Sequence, residues 1–331
     1  MANRLGRLLN DMDSKHLKIM GVLSIVLVSV GYALSPVLVI WISLVFPGPG
    51  QVVVRSVATA TLLLLFLLST TGWPKWSSLK SRKSKFWFAW YLLALPFGQF
   101  LFVLAMLYGG ANAGPAALFY LSVGKILLTY ILKNAKALLR PEKLLTNNFS
   151  RLRLTCVAMA VLAVWIYSWP GPLIMTLPML AALGAGAVEA VSSLATGNLN
   201  AKDDKKALVF YRYGAASFVS LALVLALRLG PTFNVLPAVS IMALSIGALV
   251  VVALIQAFLG MLENYAYHRV PEDMANVILT TELIWGVMFS VWLINNVVNM
   301  SQLVGLALIL FSALLAGYVA SVEKKKVNDE N

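Results

Sequence analysis

Ten continuous apolar stretches run through this 331-residue chain, at about 19–45, 51–69, 86–108, 113–132, 154–169, 173–196, 208–228, 240–267, 274–294 and 300–320. Most are close to the roughly 20 residues that carry a helix across a bilayer. Strands of a membrane barrel alternate apolar and polar residues, and these runs do not. The chain is 60% hydrophobic and only 12% charged, with mean hydropathy +0.84. An ordinary soluble domain carries about 25% charged residues. The expectation is an all-α integral membrane protein with ten transmembrane helices. The fifth is short, and the first and eighth are long enough to tilt or pass the interface.

The net charge of +13 is distributed by side. Lys75, Lys80, Arg82, Lys83 and Lys85 fall between predicted helices 2 and 3, and Lys133, Lys136, Arg140, Lys143, Arg151 and Arg153 between 4 and 5. Arg4, Arg7, Lys15 and Lys18 precede helix 1, Lys202, Lys205 and Lys206 follow helix 6, and Lys324, Lys325 and Lys326 close the chain. The loops on the opposite side carry almost no charge. This positive-inside pattern places both termini in the cytoplasm and checks the helix count independently. It assigns the basic charge to the lipid bilayer as partner and argues against nucleic acid. Trp73, Trp76, Trp87 and Trp90 flank the 70–85 loop, as rings at headgroup level do. Cys156 is the only cysteine, so no intrachain disulfide framework exists. Asn148-Phe149-Ser150 and Asn299-Met300-Ser301 match the glycosylation sequon, but one is predicted cytoplasmic and the other hugs the membrane. Helix 1 is too long for the core of a signal peptide and is expected to be retained.

Polar residues inside these runs recur at one separation. Arg55 and Arg212, Gln99 and Gln256, Tyr108 and Tyr265, and Lys125 and Glu282 are each 157 positions apart, and Tyr32 likewise falls opposite Glu189 and Ser35 opposite Ser192. The offset superposes helices 1–4 on helices 6–9; the register fails for 5 and 10. Five helices is an odd number, so the second half enters from the opposite side. The predicted organisation is a cytoplasmic leader 1–18, two inverted five-helix repeats at 19–169 and 173–320, and a cytoplasmic tail 321–331. Inverted repeats of this kind build many secondary transporters, with the substrate near the midplane between the repeats.

Ionisable side chains at membrane depth are costly and point to function. Lys125 shares a helix face with Ser122 and Thr129. Glu282 lies in helix 9, with Trp285 and Gly286 one turn on. Glu189 in helix 6 is followed by Ser192, Ser193 and Thr196, and Glu263 in helix 8 is preceded by Gln256 and Gly260. Lys125 and Glu282 either bind a ligand or form an ion pair between helices 4 and 9. Glu263 either joins the site or snorkels to the interface, and Arg55 and Arg212 read as interface anchors. Gln99 and Gln256 would bond across helices. Gly124 and Gly286 are positioned to permit bends, and Gly184-Ala185-Gly186 a close helix approach. No metal site and no cofactor is expected.

With these residues in view, the chain resembles an EamA-like member of the drug/metabolite transporter superfamily. The resemblance rests on an arginine opening a helix in Val54-Arg55-Ser56 and Tyr211-Arg212-Tyr213, on Asn264-Tyr265-Ala266-Tyr267-His268-Arg269-Val270-Pro271, and on Thr281-Glu282-Leu283 with the glycine-containing last helix from Gln302. Leu283 stands where that family usually has proline, and Lys125 near a common proline of helix 4. The resemblance implies a two-half carrier with its cavity lined by helices 1, 3, 4, 6, 8 and 9. It places Lys125 in that cavity, as phosphate-binding lysines are in related plastid sugar-phosphate carriers. Those carriers put further basic residues on helix 9, where this chain has Glu282. A cation beside carboxylates suits a zwitterion better than a phosphate, and an amino acid is the first expectation, with proton exchange at Glu189, Glu282 or Glu263. A choline-like quaternary amine held by Tyr32, Trp285 and Glu189 is the second. An intramembrane enzyme would need a nucleophile–base pair or a metal cluster at depth; the apolar runs hold neither histidine nor aspartate. The oligomeric state is not legible.

Overall fold

The computed structural model describes residues 2–70, 82–109, 119–139, 148–168, 176–199, 204–228, 239–294 and 297–322, and among them it is helical without a strand. The helices are α1 (Ala2–Ser43), α2 (Gly50–Thr70), α3 (Arg82–Gly109), a π-helix (Tyr120–Leu127) that runs on into α4 (Leu128–Leu138), and α5 (Asn148–Tyr167). They continue with α6 (Leu177–Asn198), α7 (Lys205–Ala226), α8 (Val239–Tyr267), α9 (Glu272–Leu279), α10 (Glu282–Ile294) and α11 (Met300–Val322). Nine stretches among the described residues are long and apolar enough to cross a membrane, with α9 and α10 sharing one of them. The predicted fourth span begins in 113–118, outside the described residues, as do Trp73 and Trp76, residues 140–147 of the basic connector, the loop 201–203 and the tail from 323. The leader does not stand apart from helix 1: α1 takes it in from Ala2 onward.

Packing is pairwise and crosses the chain. The main contacts are α3 on α6, α1 on α8, α5 on α11, and α2 on α7. Next come α3 on α7, α2 on α8, the π-helix on α6 and α5, and α9 on α1 and α11, with α10 also against α1. Lipid offers no hydrophobic drive between helices, so close van der Waals fit and small residues must hold them together. The tightest point meets that need. A Cβ on Gly124 would lie 2.8 Å from the Gly186 Cα, and one on Gly186 would lie 2.6 Å from the Gly124 Cα. Backbone meets backbone there, as the Gly-Ala-Gly run of helix 6 leads one to expect. A large apolar cluster (Ile25, Val28, Ile126, Tyr130, Cys156, Tyr267, Met274 and Ile278 among its members) fills the space where α1, α4, α5, α8, α9 and α11 converge.

Besides a kink at Asn134 in α4, two departures from regular α-helix among the described residues coincide with the candidate site charges. Lys125 lies inside the π-helix, a geometry that often marks functional sites. The continuous helix expected over 274–294 is instead broken at Thr280 and Thr281. The cause is local. Both threonine hydroxyls donate back to carbonyls three residues earlier, on Val277 (2.6 Å) and Ile278 (2.8 Å). The backbone N–H groups of Thr280, Thr281, Leu283 and Ile284 also reach carbonyls three residues back. Such bonds compete with the i→i−4 ladder and tighten the turn. Glu282 therefore sits in the first turn of α10 rather than in mid-helix, where an acidic side chain complements the helix dipole.

Candidate functional site

A chain of side-chain contacts runs through the interior from the π-helix to α3. It begins beside Lys125, which is 3% exposed, with Nζ 5.7 Å from the centroid of the Tyr32 ring on α1. The Tyr32 hydroxyl donates to Glu263 Oε2 at 3.1 Å, and Arg212 Nη1 of α7 reaches the same oxygen at 3.2 Å. Arg212 Nη2 donates to Ser192 Oγ on α6 at 2.7 Å, and its guanidinium lies 5.0 Å from the Tyr91 ring centroid on α3. Asn264 Nδ2 then donates to the Tyr91 hydroxyl at 2.9 Å.

Glu263 is thus a buried, bonded member of the interior and does not snorkel. Arg212 is its partner, and Arg55 is buried as well, so neither arginine serves as an interface anchor. Desolvating an ion pair is expensive unless remaining donors and acceptors are satisfied. Here Tyr32, Ser192 and the face of Tyr91 supply most of that satisfaction. Sequence reasoning missed the Arg212–Glu263 pair, because an arginine near a helix end reads as snorkelling in a hydropathy profile.

Glu189 and Glu282 behave differently. Both are half-buried, and neither carboxylate forms an ion pair among the described residues. Glu189 Oε1 lies 3.7 Å from where a Cβ of Gly98 would stand, so its head points at α3. Glu282 is within electrostatic reach of Lys125 and Glu189 without closing to an ion pair. Glu189 of α6, Glu282 of α10 and Glu263 of α8 all exert an electrostatic influence on Tyr120. Gln256 Oε1 accepts from Thr59 Oγ1 of α2 at 3.1 Å, an inter-helix bond of the expected kind. Gln99 Oε1 and Trp285 Nε1 are buried without a partner among the described residues. Tyr108 lies where side chains are outside the described set.

A second polar layer adjoins the first. Tyr267 donates to Asn276 Oδ1 at 2.7 Å, and Asn276 Nδ2 donates to Thr129 Oγ1 at 2.8 Å. Ser193 Oγ lies 3.0 Å from the Tyr267 hydroxyl, and Thr129 itself donates to the carbonyl of Lys125 at 2.6 Å. Ser193 and Thr129 belong to the polar stripes visible in the sequence. Asn276 does not, since it sits alone in an apolar run.

A bundle of membrane-spanning helices enclosing unpaired charges at depth has the anatomy of a membrane transporter. The comparisons give that class a family. Residues 176–318 match the EamA-like transporter family, the family that the sequence motifs resemble. One solved structure, described as a crystal structure of a protein, shares the fold with a TM-score of 0.65 and 16% identity, over 92% of this chain and 97% of its own. No curated protein matches the chain.

Proposed function

We propose that this transporter is a secondary carrier that moves a small zwitterion, an amino acid or a close relative, by alternating access in a prokaryotic inner membrane. The observation that carries the reading is Lys125. It is a buried cation with no carboxylate paired to it among the described residues, and it shares its interior with two unpaired carboxylates, Glu189 and Glu282. A zwitterion supplies both missing partners at once, its carboxylate to Lys125 and its ammonium to Glu189 or Glu282. A dianionic phosphate would want a second cation where Glu282 stands. Glu263 is held by Arg212 and Tyr32, so Glu189 and Glu282 are the groups left to take and release a coupling proton.

Ten spans in two inverted repeats belong to this proposal, and the packing pattern supports them. Moving each helix on by one repeat turns the α3–α6 pair into α8–α1 and the α3–α7 pair into α8–α2. The π-helix on α6 becomes α9 and α10 on α1, and α2–α7 and α5–α11 map onto themselves. The two irregular turns also correspond, since Lys125 and Glu282 are 157 residues apart. The basic loops then orient both termini to the cytoplasm.

A quaternary-amine cage is less well supported, because Lys125 already holds the face of Tyr32. Reconstitution into liposomes with labelled amino acids, with and without a pH gradient, tests the proposal. Uptake should appear in the wild type and fall at least tenfold in Lys125→Ala. Full uptake of every substrate by Lys125→Ala, or block by choline at the same concentrations as amino acids, would overturn it.

A further inference from the structure

Arg55 and Arg212 stand 157 residues apart, yet among the described residues only Arg212 has an anion. Around Arg212 stand Glu263, Ser192 and Tyr91. The corresponding positions for Arg55, set by the same 157-residue offset, hold Met106, Ser35 and Ala248. The serine is kept; the carboxylate has become methionine and the ring has become alanine. Arg55 is nevertheless buried, at 8% exposure. Its Nε donates at 3.4 Å to the carbonyl of Gln51, and no carboxylate pairs with it among the described residues. On the same helix, Gln51 Oε1 and Ser56 Oγ are also buried without a partner among the described residues.

A buried guanidinium without an anion is a costly arrangement. Its fork of donors matches a carboxylate, which it binds through two parallel bonds. We propose that Arg55 is a carboxylate-binding position, in which the carboxylate of the ligand takes the part that Glu263 plays for Arg212. The site is distinct from Lys125: on the transport reading above, on which this inference rests, the one carboxylate of the zwitterion meets Arg55 and Lys125 at different stages of passage. The ligand class then carries a carboxylate, and α2, outside the helices the family resemblance assigns to the cavity, takes part in recognising it.

The test is thermal-shift titration in phosphatidylcholine nanodiscs, where no anionic headgroup competes. The probes are amino acids and simple monocarboxylates, each against its neutral primary amide. The proteins are wild type, Arg55→Met, Arg55→Lys and Met106→Glu. The last variant restores, at the position 157 residues before Glu263, the carboxylate that the first half lacks. Carboxylates, and not their amides, should stabilise the wild type, with affinity at least tenfold weaker in Arg55→Met and Met106→Glu and intermediate in Arg55→Lys. Should Arg55→Met fail to fold, Met106→Glu and Arg55→Lys carry the same comparison. Equal affinity in wild type and variants, or no carboxylate binding to the wild type, overturns the inference. Amino-acid uptake that persists beside unchanged affinities removes the Arg55 site alone. Tenfold losses without any amino-acid uptake keep the Arg55 site and remove the proposed cargo.

Discussion

Arg212 and Glu263 face each other across 3.2 Å with both side chains 5% exposed, and the energetics of such a pair are asymmetric. Removing one partner strands a charge out of water, which costs about 3–5 kcal/mol, whereas replacing both is far less harmful. Arg212→Met or Glu263→Met should each lower the unfolding free energy in detergent by about that amount. The double variant should recover most of the loss, and denaturation of all three proteins checks it. Simple additivity would mean that the pair is not coupled. Glu263 was legible as a site candidate, because a carboxylate in an apolar run stands out. Its partner was not, because hydropathy cannot tell an arginine that snorkels from one that turns inward. The deciding contacts come from Ser192 and Tyr91, on helices remote in sequence.

At the scale of elements, the apolar runs located the helices because burial in lipid demands length and continuity. They could not locate the break at Thr280–Thr281. Hydropathy is high on both sides of it, and the cause is hydroxyl competition for backbone carbonyls. The two glycines singled out beside charged or aromatic residues also separate here. Gly124 touches the Gly186 backbone, while a Cβ on Gly286 would meet nothing within 4 Å. Side chains on the glycine–glycine contact must force the π-helix away from α6, and overpacking of this kind costs about 1–3 kcal/mol or more. Gly186→Val should therefore lower the thermal midpoint and the yield of monodisperse protein. Gly286→Ala should leave both within error of wild type. A stable Gly186→Val protein would show that the α6 contact tolerates separation.

For the molecule as a whole, the question is which end is sealed. Asp273, fully buried at the start of α9, takes Arg153 of α5 through both oxygens (Nη2–Oδ1 2.5 Å, Nε–Oδ2 2.9 Å) and Lys133 of α4 at 3.0 Å, and Glu272 also contacts Lys133. This cluster binds the second half of the chain to the first, on the side of the basic loops. Residues 270–281 are buried throughout, whereas 282–287 are half-buried, so burial along this segment is deepest at the end that holds the ion cluster. The positive-inside reading makes that end cytoplasmic. In a Cys156→Ser background, Asn299→Cys should react with an impermeant maleimide on intact cells, and Asp204→Cys only after permeabilisation; the reverse pattern would invert the topology. The alternating access proposed above would further require the cluster to open. Asp273→Asn removes the carboxylate that Arg153 and Lys133 share, which weakens the tie between the halves at this end. Thr196→Cys, buried on α6, then reports on the opening. Its labelling rate from the cytoplasmic side should rise several-fold with Asp273→Asn, while Asn299→Cys labels as before. An unchanged rate would show that the apolar contacts of α9 with α1 and α11 close this end without help from the charges.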